Sequence, residues 1–239
     1  SMKLSERCRQ YELKFPLTPS AGDTKQKPNN KGWTKYKQYS TPDSLRKSAG
    51  MFWNFGVSRE IRFELGCRKD NRSAKILTWD PTPLSQITVD SANAGGYNIS
   101  HVNKAYDSES GNTLKFYAIN DSKKCYQLDK PEQSFDEIEV ETINLKSIAQ
   151  ENGTNVDIIK LDIEGRWYEL LTEILDLELP AKCILVECEM YIGDQDEQFT
   201  KLDSIVERYK TKGFTVLTNR KTNGECVELC FLNYPEATI

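Results

Sequence analysis

From residue 51 onward, short apolar runs alternate with segments whose apolar residues fall three and four positions apart, the two rhythms expected of buried strands and amphipathic helices. Met51 to Val57 reads as a strand, the stretch through Ile61, Phe63 and Leu65 as a helix, Lys75 to Trp79 as a strand, and the residues after Pro83 as a helix. This is a βαβ opening. Strands are next predicted at Ile99 to Tyr106, Leu114 to Ile119 and Ile138 to Thr142, with a turn at Asp107 to Gly111 and a short helix from Leu145 to Gln150 capped by Asn144. After a strand beginning at Val156, residues Trp167, Leu170, Leu171, Ile174 and Leu175 form one apolar helical face that ends before Pro180. Cys183 to Met190 is the next strand, and Phe199, Leu202, Ile205, Val206 and Tyr209 line a helix closed by Gly213. The last two strands, Phe214 to Asn219 and Cys226 to Asn233, are joined by a loop carrying Asn223-Gly224, a strong hairpin signal, so the chain ends antiparallel.

Residues 1–50 lack this rhythm. A short helix is predicted near residues 4–14, followed from residue 16 to 50 by an irregular arm rich in Pro, Lys, Asn, Ser and Gly, in which Trp33, Tyr36 and Tyr39 lie among Lys31, Lys35 and Lys37. Its composition reads as a solvated, partly mobile extension. The functional alternative is a lid whose aromatic rings stack on a ligand such as a sugar. The division expected is therefore residues 1–50 as extension and 51–239 as one α/β domain.

The 239 residues are 38% hydrophobic and 28% charged, ordinary for a globular protein. A formal net charge of -4 supplies no general field for a phosphate backbone, which argues against nucleic acid as partner. The 7 cysteines form no C-x-x-C pair, so they read as reduced thiols rather than a disulfide framework or zinc site. With no signal peptide and no apolar run approaching a membrane helix, a cytoplasmic protein without a membrane partner is expected. Ser1 ahead of Met2 reads as an expression scar, so native flanking sequence is expected to be missing.

The most informative stretch is VDIIKLDIEGRWYELL, residues 156–171, where an apolar run ends abruptly in acids and a glycine before helical spacing begins. In open α/β sheets ligands bind beyond the carboxyl ends of the strands, which places Asp162 and Glu164 at a ligand crevice. Helix capping is the plain alternative. A second copy, Ile184 to Tyr191, brings Glu187 and Glu189 to the same rim. Four clustered carboxylates repel unless a cation, a proton or Lys160 offsets them, and such clusters mark functional clefts.

Phe55-Gly56-Val57-Ser58 closes the first strand of the series, and Asp80, followed by Pro81, closes the second, 24 residues beyond Gly56. An acid at this distance suits a ribose diol, since its two oxygens accept two hydroxyls at once. No G-x-G-x-x-G is present for a pyrophosphate, which fits a nucleoside cofactor without phosphate and weakens a nicotinamide-dependent dehydrogenase as rival.

These residues together are similar to the FkbM-type methyltransferases and the related methyltransferase-like family, in which a K-x-D-x-E-G run closes the fourth strand. Phe55-Gly56, Trp79-Asp80-Pro81-Thr82, Leu185-Val186-Glu187 and Glu225-Cys226-Val227-Glu228-Leu229 match in the same order, over roughly residues 50–233. The resemblance implies a Rossmann-like class I methyltransferase fold, an α/β architecture with a mostly parallel seven-stranded sheet and a C-terminal antiparallel hairpin, here with an irregular N-terminal extension. It implies S-adenosyl-L-methionine as cofactor. Phe55, Gly56, Val57 and Ser58 would line its methionine side, Asp80 with Pro81 its ribose and Asp107 its adenine, while Asp162 would lie nearest the transferred methyl. Two departures stand out: no acid precedes Gly56, and Glu189 stands where relatives carry His.

The activity implied is O-methylation of a hydroxyl on a sugar, glycan or similar small polyol, by a carbohydrate-directed methyltransferase. Asp162, Glu164, Glu187 and Glu189 are the candidate bases, with Lys160 orienting or polarising the acceptor. A metal-free site is preferred over one in which Mg²⁺ is held by some of these acids. His101, toward the start of its strand, reads as structural. The rival from another class is a non-catalytic nucleoside- or glycan-binding module, one domain of a larger glycan-processing protein.

Overall fold

The computed structural model describes residues 1–123, 125–163, 165–220 and 224–239. In chain order the elements are α1 (Leu4–Glu12), β1 (Trp33–Tyr36), β2 (Tyr39–Pro42), α2 (Asp43–Ser48), β3 (Met51–Phe55), α3 (Arg62–Asp70), β4 (Lys75–Trp79), α4 (Pro83–Ala94), β5 (Ser100–Val102) and β6 (Ala105–Tyr106). There follow β7 (Thr113–Ala118), β8 (Tyr126–Gln127), β9 (Glu137–Ile143), α5 (Leu145–Asn152), β10 (Ile158–Leu161), α6 (Trp167–Asp176), β11 (Cys183–Glu189), α7 (Gln195–Thr211), β12 (Thr215–Thr218) and β13 (Cys226–Leu232).

Seven strands form one sheet in the order β12-β13-β11-β10-β3-β4-β5. The run from β11 to β5 is parallel, and β13 is antiparallel to both of its neighbours. The Rossmann-like expectation therefore holds, including the antiparallel ending; Asn223 of the hairpin signal lies outside the described residues. Central strands buried on both faces are mostly apolar on both, which is why β3 and β10, apart from Asn54 and Lys160, read as apolar runs rather than alternating ones. Alternation divides them between two cores. Trp53, Phe55, Ile159 and Leu161 join the core under α1, α5, α6 and α7, whereas Phe52 and Ile158 join the core under α2, α3 and the β1–β2 hairpin.

Two segments differ from the sequence reading. The strand expected over Ile99 to Tyr106 breaks at Asn103-Lys104, where the Lys104 amide turns back to the Val102 carbonyl. β5 ends the large sheet, and β6 begins a four-stranded sheet of order β6-β9-β7-β8. The arm expected to be irregular contains the β1–β2 hairpin and α2. Residues 24–31 are largely exposed, but the polar residues of the hairpin and α2 are not all solvated. Trp33, Thr34, Ser40, Thr41 and Arg46 are fully buried, and the Arg46 guanidinium donates to Asp43, Asp70, Thr34 and Thr41. The Trp33 indole donates to the carbonyl of Thr238 near the opposite terminus. Among the described residues no helix is long and apolar enough to cross a membrane.

Strand alternation also decides where Lys160 points. Between Ile159 and Leu161 it faces α3 and the hairpin, where its ammonium lies 2.6 Å from Glu64 Oε1 and donates to the Gly56 carbonyl at 3.0 Å. It stands 5.3 Å from the ring centroid of Tyr39. Burial works against its charge, but Glu64 first, then Asp162 and Asp80, lift its pKa above the ordinary lysine value. Removing one member of such a pair strands the other charge in the interior, at a cost of roughly 3–5 kcal/mol. Lys160→Met should therefore lose stability of that order in urea unfolding, and Lys160→Met with Glu64→Leu should recover most of it; equal losses would mean that Glu64 is not dependent on Lys160.

Candidate active site

The carboxyl ends of the adjacent strands β10, β3 and β4 bring Asp162, Gly56 and Asp80 side by side, as expected of an open α/β sheet. Gly56 has φ +92, and a Cβ at this position would overlap the Asp162 carbonyl oxygen and stand 2.8 Å from its carbon. Only glycine permits the loop after β3 to approach the loop after β10 so closely. Above them lies a cavity of about 260 Å³, just below the ~300–1,000 Å³ typical of small-molecule sites.

Gly56, Val57, Ser58, Asp80, Pro81 and Asp162, all singled out from the sequence, line this cavity. Other residues named from the sequence lie elsewhere. Phe55 is fully buried and stacks on Trp79 at 4.9 Å, because alternation turns it into the core. Lys160 is not part of the wall; it braces Gly56 from below. Asp107 is outside the wall as well, and its carboxylate accepts from the Ser108 amide at 2.8 Å. Glu164 lies outside the described residues. His101 bonds Thr78 and Asn103 and has no place in the wall.

Asp80 is more deeply committed than a free diol acceptor. Its Oδ2 accepts from the Val57 and Ser58 amides at 2.8 and 2.9 Å, and its Oδ1 from the Thr82 amide and hydroxyl at 2.9 and 2.7 Å. These bonds fix the loop after β3, in which Ser58 takes the left-handed φ of +51. A carboxylate has about four lone-pair directions, so a diol must share with or replace a loop donor.

Glu187 and Glu189 lie outside the cavity wall but beside Asp162: one oxygen of each of the three acids falls within 4.8 Å of the others. Glu228 faces Glu187 across β13. The repulsion is relieved by several groups. Tyr39, buried in the hairpin, donates its hydroxyl to Asp162 Oδ2 at 2.9 Å, and Gln38 donates to Glu228 Oε1 at 2.9 Å. Burial, reinforced by Asp162 and Glu187, raises the Glu189 pKa well above the carboxylate range, against a 3.4 Å bond from the Gly165 amide.

Several wall residues carried no signal in the sequence. Tyr106 comes from β6, Phe116 from β7 and Tyr126 from β8, all in the small sheet, and Lys104 and Arg166 add two cations. Tyr126 donates to Asp136 at 2.8 Å, and burial followed by that acid pushes its pKa up to about 12. Tyr39 belonged to the aromatic arm already noted, and Arg166 directly follows the K-x-D-x-E-G run. Aromatic surface, a glycine allowing close backbone approach and two carboxylates thus meet in one cavity wall.

The proton on Glu189 has a consequence for stability. Its folded pKa is raised, so above the ordinary 4.5 the folded state keeps a proton that the unfolded state has released, and stability falls as pH rises through that window. Glu189→Gln removes the dependence. Its melting temperature should match wild type at pH 4 and exceed it by about 2–4 °C at pH 7.5, the shift for ~1 kcal/mol in a chain of this size; a variant no more stable at pH 7.5 would show the carboxylate to be ionised.

The sequence profile of the methyltransferase FkbM domain matches residues 38–214. A comparison with the curated proteins returned no match. Among solved structures, the fibrillarin pre-rRNA processing protein of Methanococcus jannaschii is 12% identical, with 88% of this chain and 86% of that one covered at a TM-score of 0.46. A precorrin-6y C5,15-methyltransferase of Geobacter metallireducens is 11% identical, with 88% and 94% covered at 0.44. An O-methyltransferase of Bacillus cereus, solved in complex with SAH, is 10% identical, with 97% and 91% covered at 0.45. With the profile spanning most of the chain, from β2 to the end of α7, the protein belongs to the FkbM family of S-adenosylmethionine-dependent methyltransferases.

Proposed function

We propose that the chain methylates a hydroxyl oxygen, on an acceptor that is a sugar or similar small polyol. The observation that carries this reading is Asp162, a carboxylate in the cavity wall whose Oδ2 is held by Tyr39 while its Oδ1 accepts no hydrogen bond from the described residues. An alcohol must release its proton as it attacks, and a fixed carboxylate oxygen within reach can take it.

S-adenosylmethionine, when bound, supplies an electrophilic methyl group on a sulfonium. The chain's part is mainly positional. Gly56 lets the two loops close on each other, Asp80 holds the loop after β3 and offers its carboxylate to the ribose, and Tyr39 fixes the rotamer of Asp162. The small sheet adds Tyr106, Phe116 and Tyr126 to the wall. Burial raises the pKa of Glu189, which lies outside the wall, whereas Asp162 lines it.

Titration calorimetry with S-adenosylmethionine and S-adenosylhomocysteine should show micromolar affinity, about -8 kcal/mol, weakened in Asp80→Ala. With radiolabelled donor and a panel of monosaccharide and polyol acceptors, Asp162→Asn should keep donor binding and lower turnover by about 10²–10⁴. Donor binding with no labelled product from any hydroxyl acceptor would favour the non-catalytic module. Turnover abolished by chelation and restored by Mg²⁺ would transfer the acid cluster from proton chemistry to metal binding.

A further inference from the structure

Two cationic side chains lie in the cavity wall, and they differ in what satisfies them. Lys104 is drawn toward Glu141, 3.5 Å from its ammonium. Arg166 is half-buried, yet its guanidinium has no hydrogen-bond or ion-pair partner among the described residues. A partly desolvated guanidinium with its donors unused is unfavourable, and its planar fork matches a carboxylate two bonds at a time.

The order of strands says which anion it faces. Asp80, Gly56 and Asp162 close β4, β3 and β10, neighbouring strands about 4.8 Å apart, so the three points span roughly 10 Å across the sheet edge. Tyr106, Phe116 and Tyr126 supply the aromatic part of the wall from the small sheet that continues the chain after β5, the strand next to β4. Arg166 follows Asp162 in the loop between β10 and α6, on the other side of β3. A nucleoside with its base on the aromatic surface and its ribose at Asp80 directs its amino-acid tail past Gly56, toward the loop that carries Arg166.

Resting on the methyl-donor reading of this cavity, we infer that Arg166 is a specificity residue that clamps the α-carboxylate of the donor's methionine tail, separating S-adenosylmethionine from nucleosides without that group. The other acids of the rim cannot serve that carboxylate, since Asp162 repels it and Glu189 is buried. The K-x-D-x-E-G run and the residue after it thus divide the work, with Asp162 toward the methyl group and Arg166 toward the tail.

The test compares two ligands by competition calorimetry on the full chain: S-adenosylhomocysteine, and its decarboxylated analogue, which keeps base, ribose, sulfur and amine. Arg166→Gln should weaken S-adenosylhomocysteine about tenfold to a hundredfold, the loss expected for a charge-assisted bond, and leave the analogue within about twofold, which also shows that the variant is folded. Lys104→Met should change both ligands by the same factor. Equal losses for both ligands in Arg166→Gln would make Arg166 structural and overturn the inference. No loss for either would assign the guanidinium to something other than the donor and overturn it as well. Failure of wild type to bind S-adenosylhomocysteine would instead remove the donor reading itself, and the inference with it.

Discussion

The site depends on the contact between the loop after β3 and the loop after β10, where Gly56 leaves no room for a side chain against the Asp162 carbonyl. This contact is held from below by Lys160, which donates to the Gly56 carbonyl while paired with Glu64 on α3. A buried ion pair is a weak source of stability because desolvation offsets its attraction. Its value here is geometric: one ammonium ties the strand that carries Asp162, the helix after Gly56 and the glycine loop into a single unit. Asp80 completes the arrangement from the next strand by accepting two amides of the same loop.

Onto this frame the chain adds two pieces from outside the large sheet. The four-stranded sheet supplies aromatic surface to the cavity wall, and the N-terminal hairpin supplies the Tyr39 hydroxyl that Asp162 accepts. The hairpin reaches the rim because Trp33, Tyr36 and Tyr39 are packed against α3 and the sheet rather than exposed. The base of the site is therefore the fold's own, whereas part of its wall comes from an insertion and the bond that holds Asp162 from an extension, the parts in which a shared fold acquires its particular chemistry.

The large sheet was legible because its strands follow the rule for two-sided burial and its helices carry unbroken apolar faces, as in α6 with Trp167, Leu170, Leu171 and Ile174. Strand ends were legible too, and Gly56, Asp80 and Asp162, which follow three of them, line one cavity. What failed has a common cause. Side-chain direction is set by alternation and by what packs opposite, so Phe55 and Lys160 were placed at the ligand when both face inward. The arm was misjudged because Thr34, Ser40, Thr41 and Arg46 look solvated by composition, whereas each finds its partners inside the protein. The two-residue strand β8 is too short to show any period, yet it brings Tyr126 to the cavity.

The acids of the rim illustrate how a fold can keep one useful charge among several costly ones. Glu187 and Glu228 face each other across two strands, and Asp162 and Glu189 lie close by, an arrangement that two-stranded pairing alone would disfavour. Three of them are handled differently. Burial raises the pKa of Glu189; Glu228 receives an amide from Gln38; Asp162, exposed, receives a hydroxyl from Tyr39. Both donors come from the turn of the hairpin, so the same few residues that attach the N-terminal segment also set the charge of the rim. A base for an alcohol needs to be ionised and fixed while its neighbours stay quiet. The hairpin is thus built into the site instead of covering it: a lid that left would take with it the hydroxyl that holds Asp162 and the amide that holds Glu228.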